Sequence, residues 1–174
     1  MKKIIALALV AAGFAAAPAS AQSAADTSTA TANGSVTIIR PLTVTKNTDL
    51  VFGRVVQPRS GTGTVSIANN SNTTVAGAGA VALSGITTSH ATFTVDGEGG
   101  QVVTVAIPST FDLANGSNTI TVTLSPDVGA TETLSNALGA AGSKAINVGG
   151  SFSLPASQAS GEYTGTFDVT VAYQ

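Results

Sequence analysis

Apolar residues recur at every second position along most of the chain. Val65 and Ile67, Phe93 and Val95, and Ile120, Val122 and Leu124 each keep this phase, with polar residues between them. Period two is the signature of a strand with one buried face. The last segment shows it best. Tyr163, Phe167, Val169, Val171 and Tyr173 fall on one side, and Thr164, Thr166, Asp168, Thr170 and Ala172 on the other. Val36, Ile38, Leu42 and Val44 alternate in the same way near the start, interrupted by Arg40-Pro41. Proline cannot donate to a ladder, so one broken strand or two short edge segments are expected there.

Further candidate strands lie at Leu50–Val56, Val81–Leu83, Val102–Ile107 and Ile146–Leu154. Turn signals separate them. Asn69-Asn70-Ser71-Asn72 ends one strand, and Asp96-Gly97-Glu98-Gly99-Gly100 favours a hairpin because glycine supplies positive φ without steric cost. Asn115-Gly116 marks a second tight turn, and Gly149-Gly150 is expected to form a bulge. Only Thr133–Ala141 tolerates a helix, and Gly139 and Gly142 keep it short. About nine short strands with turns between them predict an all-β antiparallel sandwich over residues 34–174.

The first 33 residues do not follow this pattern. Lys2 and Lys3 precede an apolar run from Ile4 to Phe14, and Ala19-Ser20-Ala21 forms a small-x-small site before Gln22. That order is a secretory signal, with cleavage expected between Ala21 and Gln22 and Ala19 completing the recognition site. A Lys-Lys start and an Ala-rich core suit export in a Gram-negative bacterium. The run is too short for a membrane span, which needs about 20 apolar residues. No later run is long enough either, so no integral membrane segment is expected in the mature chain. Residues 22–33 are small and polar and are expected to form a flexible N-terminal extension.

Composition narrows the chemistry. Only 9% of the residues are charged, and the formal net charge is −2. Removing Lys2 and Lys3 with the signal leaves five basic and nine acidic residues, a net charge of −4. Such a chain has no basic excess for nucleic acid. It has no Cys for a disulfide, a zinc finger or a thiol nucleophile. Ser and Thr together number 43, and Gly adds 19. A mature domain of this length can bury a core without a covalent or metal staple.

The same residues argue against an enzyme. His90 is the only histidine, with no second His or Cys to share a metal. Asp96 and Glu98 flank Gly97 in a turn but do not supply the regular oxygen spacing of a calcium loop. The other carboxylates are scattered singly, and no Gly-x-Ser-x-Gly elbow or phosphate loop occurs. No catalytic residue, metal ligand or cofactor is therefore assigned. The few charges leave little to blunt exposed sheet edges, so the chain is expected either to close its edges or to pair them with another chain.

Taken together, the two ends carry a resemblance. Asn33-Gly34-Ser35-Val36-Thr37-Ile38 leads into Arg40-Pro41-Leu42-Thr43-Val44 and then Leu50-Val51-Phe52-Gly53. Near the close, Val148-Gly149-Gly150-Ser151-Phe152-Ser153-Leu154 precedes Gly161-Glu162-Tyr163-Thr164-Gly165-Thr166-Phe167-Asp168-Val169-Thr170-Val171-Ala172-Tyr173. The combination resembles the DUF4402 family of exported bacterial domains. The closing motif and the Leu-x-Phe-Gly opening are also similar, more weakly, to spore coat protein U and archaic chaperone–usher pilin domains, although the Cys pair usual in those pilins is missing.

The pilin resemblance implies an immunoglobulin-like sandwich completed by a strand from a neighbouring subunit. It implies a non-enzymatic structural or adhesive surface protein, assembled as a homopolymer or with other surface subunits and escorted by a periplasmic chaperone. Val36 and Ile38, with Tyr163, Phe167, Val169, Val171 and Tyr173, are the candidate strand-exchange interface. The expected location is the periplasm, the cell surface or the exterior. The alternative is a self-contained binding module for a surface polysaccharide or another ligand.

Overall fold

Alternation of β-branched and hydroxyl-bearing residues gives strands and no helix among the described residues. The computed structural model describes residues 27–174. In chain order the strands are β1 (Thr43–Thr48), β2 (Val55–Val56), β3 (Thr62–Ile67), β4 (Thr74–Gly77), β5 (Val81–Ala82), β6 (Ala91–Glu98), β7 (Val102–Ala106), β8 (Thr110–Asn115), β9 (Asn118–Pro126), β10 (Thr131–Thr133), β11 (Ala141–Pro155) and β12 (Thr170–Tyr173). All their pairings are antiparallel. A seven-stranded sheet runs β1-β6-β11-β3-β4, with β9 joined to β11 and β8 to β9. A three-stranded sheet runs β10-β7-β12, and β2 pairs with β5.

The two larger sheets share one core. Val65, Ile67, Val95, Val122, Ile146 and Val148 from the seven-stranded sheet cluster with Val103 and Val105 from β7. Burying a side chain of this kind contributes about 1.5–3 kcal/mol. The polar partners of these residues, such as Thr64, Thr121 and Thr123, face outward and are exposed. The all-β antiparallel sandwich expected from periodicity is what the chain forms.

Strand β11 organises the large sheet. Its first half, Ala141–Val148, pairs with β6. Its second half pairs with β3 through Gly150–Pro155 and with β9 through Val148–Phe152. A strand has two edges, so β6 and β3 occupy one edge in succession while β9 takes the other. The change of partner falls at Gly149-Gly150. The expected bulge is absent there, because the register with β9 runs from Val148 through Phe152 without a shift. Close approach is what requires glycine. A methyl group on Gly149 would sit 2.6 Å from the Asn69 amide nitrogen and 2.8 Å from the Ala68 carbonyl carbon.

Several local expectations change. The strand predicted from Val36 begins only at Thr43, and residues 27–42 carry no strand. Pro41 offers no amide hydrogen, and the Arg40 amide is drawn to the Glu98 carboxylate at 3.3 Å instead of to a ladder. The strand predicted over Leu50–Val56 is divided by Gly53, which adopts φ 73°. What remains is a bridge between Val51 and Ser89 and the two-residue β2. The hairpin expected at Asp96–Gly100 is instead a crossing between sheets. Both edges of β6 are already taken, by β1 and β11, so β7 joins β10 and β12. The Asn115-Gly116 turn does close a hairpin, between β8 and β9.

Backbone atoms cannot yield to an added methyl as a flexible side chain can. Gly149→Ala is expected to lower unfolding free energy by about 2–3 kcal/mol, the upper part of the range for overpacking. Gly34→Ala, whose added carbon meets nothing within 4 Å, is expected to leave the urea midpoint unchanged. Denaturation of the two variants side by side checks this.

Candidate functional site

Two features stand out from the ordinary packing: a buried ionic clasp at one end of the C-terminal strand, and an open backbone edge with an apolar cleft along the residues before it.

The clasp centres on Glu98, the buried charged residue of the core at 2% exposure. Arg40 donates to its Oε2 from Nη1 at 3.0 Å and from its backbone amide at 3.3 Å. The Gly139 amide donates to Oε1. The Tyr173 hydroxyl accepts from the Glu98 amide at 2.7 Å and donates to the Arg40 carbonyl at 2.8 Å. Arg40 Nη2 also reaches the Gly139 carbonyl at 3.3 Å. The carboxylate therefore has a partner on each oxygen, as a buried charge requires. The hydrogen bond from Gly139, helped by the Arg40 amide and guanidinium, holds the Glu98 carboxyl below its usual pKa against the opposing effect of burial. Glu132 is lowered too, first by its hydrogen bond with Lys144 and then by the Gly129 amide.

The open edge lies just upstream of β12. Tyr163, Phe167, Val169, Val171 and Tyr173 are half-buried and the residues between them exposed, so the alternation read from sequence is kept. Only Thr170–Tyr173 forms a ladder, with β7. Thr164 exchanges two backbone hydrogen bonds with Ala114, at 2.8 and 3.1 Å. Among the described residues, Gly165–Val169 make no backbone-to-backbone hydrogen bond. The Phe167 and Val169 side chains nonetheless pack against the core. The Phe167 ring packs against Phe93 at 6.1 Å and Phe111 at 5.0 Å.

An open cleft of about 1020 Å³ adjoins this segment. Leu50–Val55 and Gln158–Gly165 both line it, and Leu113, Ile120, Phe152 and Leu154 give it an apolar floor. The rings of Phe52 and Phe152 meet edge to face at 5.0 Å within it. The Tyr163 hydroxyl is tied down, donating to the Ala159 carbonyl and accepting from Gln158 Nε2, each at 2.8 Å.

The residues proposed for strand exchange thus fall into two groups. Tyr163, Phe167, Val169, Val171 and Tyr173 lie on one chain segment with half-buried side chains; Val171 and Tyr173 are paired with β7, so the unpaired backbone is confined to Gly165–Val169, whose first residue lies against the Asp112 carbonyl of β8. Val36 and Ile38 are 85% and 86% exposed and sit outside any strand. Ala19, Ala21 and Gln22, the signal-cleavage residues, lie outside the described residues. Sequence reasoning missed the clasp. Glu98 stands among turn glycines, and nothing local pairs it with an arginine 58 residues earlier. His90 bonds Asn72 Oδ1 at 2.7 Å through Nδ1. Among the described residues no group of three His, Cys, Asp or Glu side chains is placed to hold a metal, and no helix is long and apolar enough to cross a membrane.

Antiparallel sheets, a shared valine-rich core and a carboxylate clasp define an all-β sandwich domain. Residues 42–173 match the model of DUF4402, a domain of unknown function, and the chain belongs to that family. No curated protein and no solved structure matches it.

Lowered carboxyl pKa values give acid sensitivity of a defined sign. A group whose folded pKa lies below its unfolded value stabilises the fold above the unfolded value. That contribution is lost as the pH falls through the folded pKa. The melting temperature is expected to drop as the pH falls through and below the ordinary carboxylate range. Glu98→Gln should melt lower at neutral pH and show a shallower acid drop, read by thermal melts at stepped pH. Equal slopes in the variant and the parent would refute the assignment to Glu98.

Proposed function

We propose that this protein is an exported, non-enzymatic structural or adhesive subunit of a bacterial surface assembly, joined to its neighbours by β-strand addition. The observation that carries this reading is the unpaired backbone of Gly165–Val169, whose side chains already alternate as in a strand. Such an edge is a template for a further strand, with main-chain hydrogen bonds supplying affinity and pockets supplying specificity. The scarcity of charge supports it, since edges that must stay single usually carry Lys or Pro. The signal-like start, Lys2-Lys3 before Ile4–Phe14 and Ala19-Ser20-Ala21, supports export to the periplasm or beyond. The likeness of the closing motif to pilin domains supports polymerisation served by a periplasmic chaperone.

A second reading, a binding module for a neutral polysaccharide, is favoured by one surface. Thr64, Ser66, Thr121, Thr123, Ser151 and Ser153 line a shallow concavity of about 570 Å³ on the outer face of the large sheet. Hydroxyl groups there offer donors and acceptors without charge. A screen against neutral glycans that finds micromolar binding, lost in Thr121→Val/Thr123→Val, would favour this reading over assembly.

Under the assembly reading, purified residues 22–174 form concentration-dependent oligomers that denaturant dissociates. Light scattering across a hundredfold concentration range measures this. A monomer at every concentration, refolding fully without a partner, would count decisively against strand addition.

A further inference from the structure

We infer that the ribbon formed by β2 and β5, flanked by Arg54 and Arg59, docks the protein on the surface of an anionic lipid bilayer. The inference does not depend on whether copies of the chain join.

Charge is spread unevenly along the chain. No Asp or Glu occurs from Leu50 to Val95, a stretch that carries Arg54, Arg59 and His90. Of the basic residues left once Lys2 and Lys3 are removed, Arg40, Lys46 and Lys144 each pair with a carboxylate. Arg54 and Arg59 are exposed and, among the described residues, make no ion pair and no side-chain hydrogen bond. Glu162 lines the same cleft as Arg54 without pairing with it. These two arginines are the cations left for a partner.

Apolar side chains lie between them. Val56 stands opposite Val81, and the Leu83 amide donates to the Arg54 carbonyl at 2.9 Å. Strand alternation places Arg54, Val56, Val81 and Leu83 on one face of the ribbon. Val55 and Ala82 take the other face, where Val55 packs on the core. Val56, Val81 and Leu83 are 47%, 54% and 46% exposed. A cluster of bare aliphatic side chains of this kind marks a surface that meets something. Pro58 lies beside Gly79, which keeps the two chains adjacent as far as Arg59. Arg59 is five residues from Arg54, at most about 18 Å along the chain.

Val56 and Val81 line neither the apolar cleft nor the hydroxyl-lined concavity, so no pocket selects a particular side chain there. A bilayer requires no pocket. It offers hydrocarbon to the aliphatic tips and, at the rim of that hydrocarbon, phosphates within reach of arginine, whose stem is itself apolar. Attachment to such a surface strengthens with buried apolar area and with attraction to anionic lipid, and the ribbon supplies both. The net charge of −4 on the mature chain does not oppose this. Carboxylates farther off than about 8 Å are largely screened at physiological salt, and the ribbon itself holds none.

Flotation of the mature chain with lipid vesicles tests the inference. Vesicles of equal parts phosphatidylglycerol and phosphatidylcholine should carry the protein, and vesicles of phosphatidylcholine alone should not. Binding should fall away at about 1 M salt, where the Debye length is about 3 Å. Arg54→Gln and Arg59→Gln should each weaken it about fivefold, and the double variant about thirtyfold. Val56→Ser/Val81→Ser should weaken it too, with an unchanged circular dichroism spectrum, while Arg54→Lys/Arg59→Lys should retain most of it. Excess inorganic phosphate at matched ionic strength should leave it intact. Four results overturn the inference. Anionic vesicles that leave the protein behind would refute it outright. Binding that every variant retains would place the contact on another surface. Displacement by phosphate would show a site for a small anion instead of a membrane. Capture by polyglutamate without vesicle binding would show an acidic polypeptide as the partner. None of these bears on strand addition, which is read from oligomers in lipid-free solution.

Discussion

Strand β11 cannot be accommodated without the absence of side chains at its midpoint. One fifteen-residue segment serves β6, then β3 and β9, and the exchange of partners occurs where Gly149 lies against the backbone of Ile67–Asn69. Gly150 faces Leu50, Val122 and Phe52, each 3.0–3.3 Å from where a Cβ would stand. The backbone contacts at Gly149 demand hydrogen at the α-carbon, and the side chains around Gly150 leave little room for more. With that condition met, the buried valines of β6, β9 and β3 are brought onto one surface, and the small sheet closes over it through Val103 and Val105. The geometry of the core is thus set by two residues that contribute nothing to its apolar area.

Low charge gives the clasp unusual weight. Glu98 is the buried charged side chain of the described core, and it gathers the chain at Arg40, Gly139 and Tyr173. Other ion pairs are more local: Lys46–Asp49 is exposed and three residues apart, and Lys144–Glu132 joins β11 to β10. Exposed pairs contribute little, whereas a buried carboxylate that loses a partner is costly. A single polar cluster therefore fixes where the N-terminal segment leaves the sandwich and how the final strand is seated.

The sequence was legible where local chemistry decides the outcome. Ile120, Val122 and Leu124 alternate, and they form β9; Asn115-Gly116 is a turn signal, and it turns. The alternation of the last eleven residues correctly gave the burial of Phe167 and Val169, although not their lack of hydrogen bonds. Errors arose where distant segments decide. Asp96–Gly100 looks like a hairpin turn, but whether a turn closes a hairpin depends on which edges are already occupied. Val36 and Ile38 look like a strand, but pairing is withheld when the Arg40 amide is claimed by a carboxylate far along the chain. Thr74–Gly77 and Thr131–Thr133 were unreadable because their side chains are too small or too polar to show a phase. The cleft was hidden for a related reason, since its floor draws one or two residues from each of three strands, β8, β9 and β11.

The Tyr173 hydroxyl bonds the Arg40 carbonyl at 2.8 Å, so the sandwich begins and ends at the same place. Closing a loop between adjacent ends costs little entropy, because the cost grows only slowly with length. A short Gly-Ser linker joining the two ends would have to span little more than the length of the tyrosine side chain that bridges them. The chain then becomes a ring in connectivity, free to be reopened at an exposed turn such as Gly116-Ser117. Order along the polypeptide is a weaker constraint on this domain than the pattern of neighbours it must satisfy.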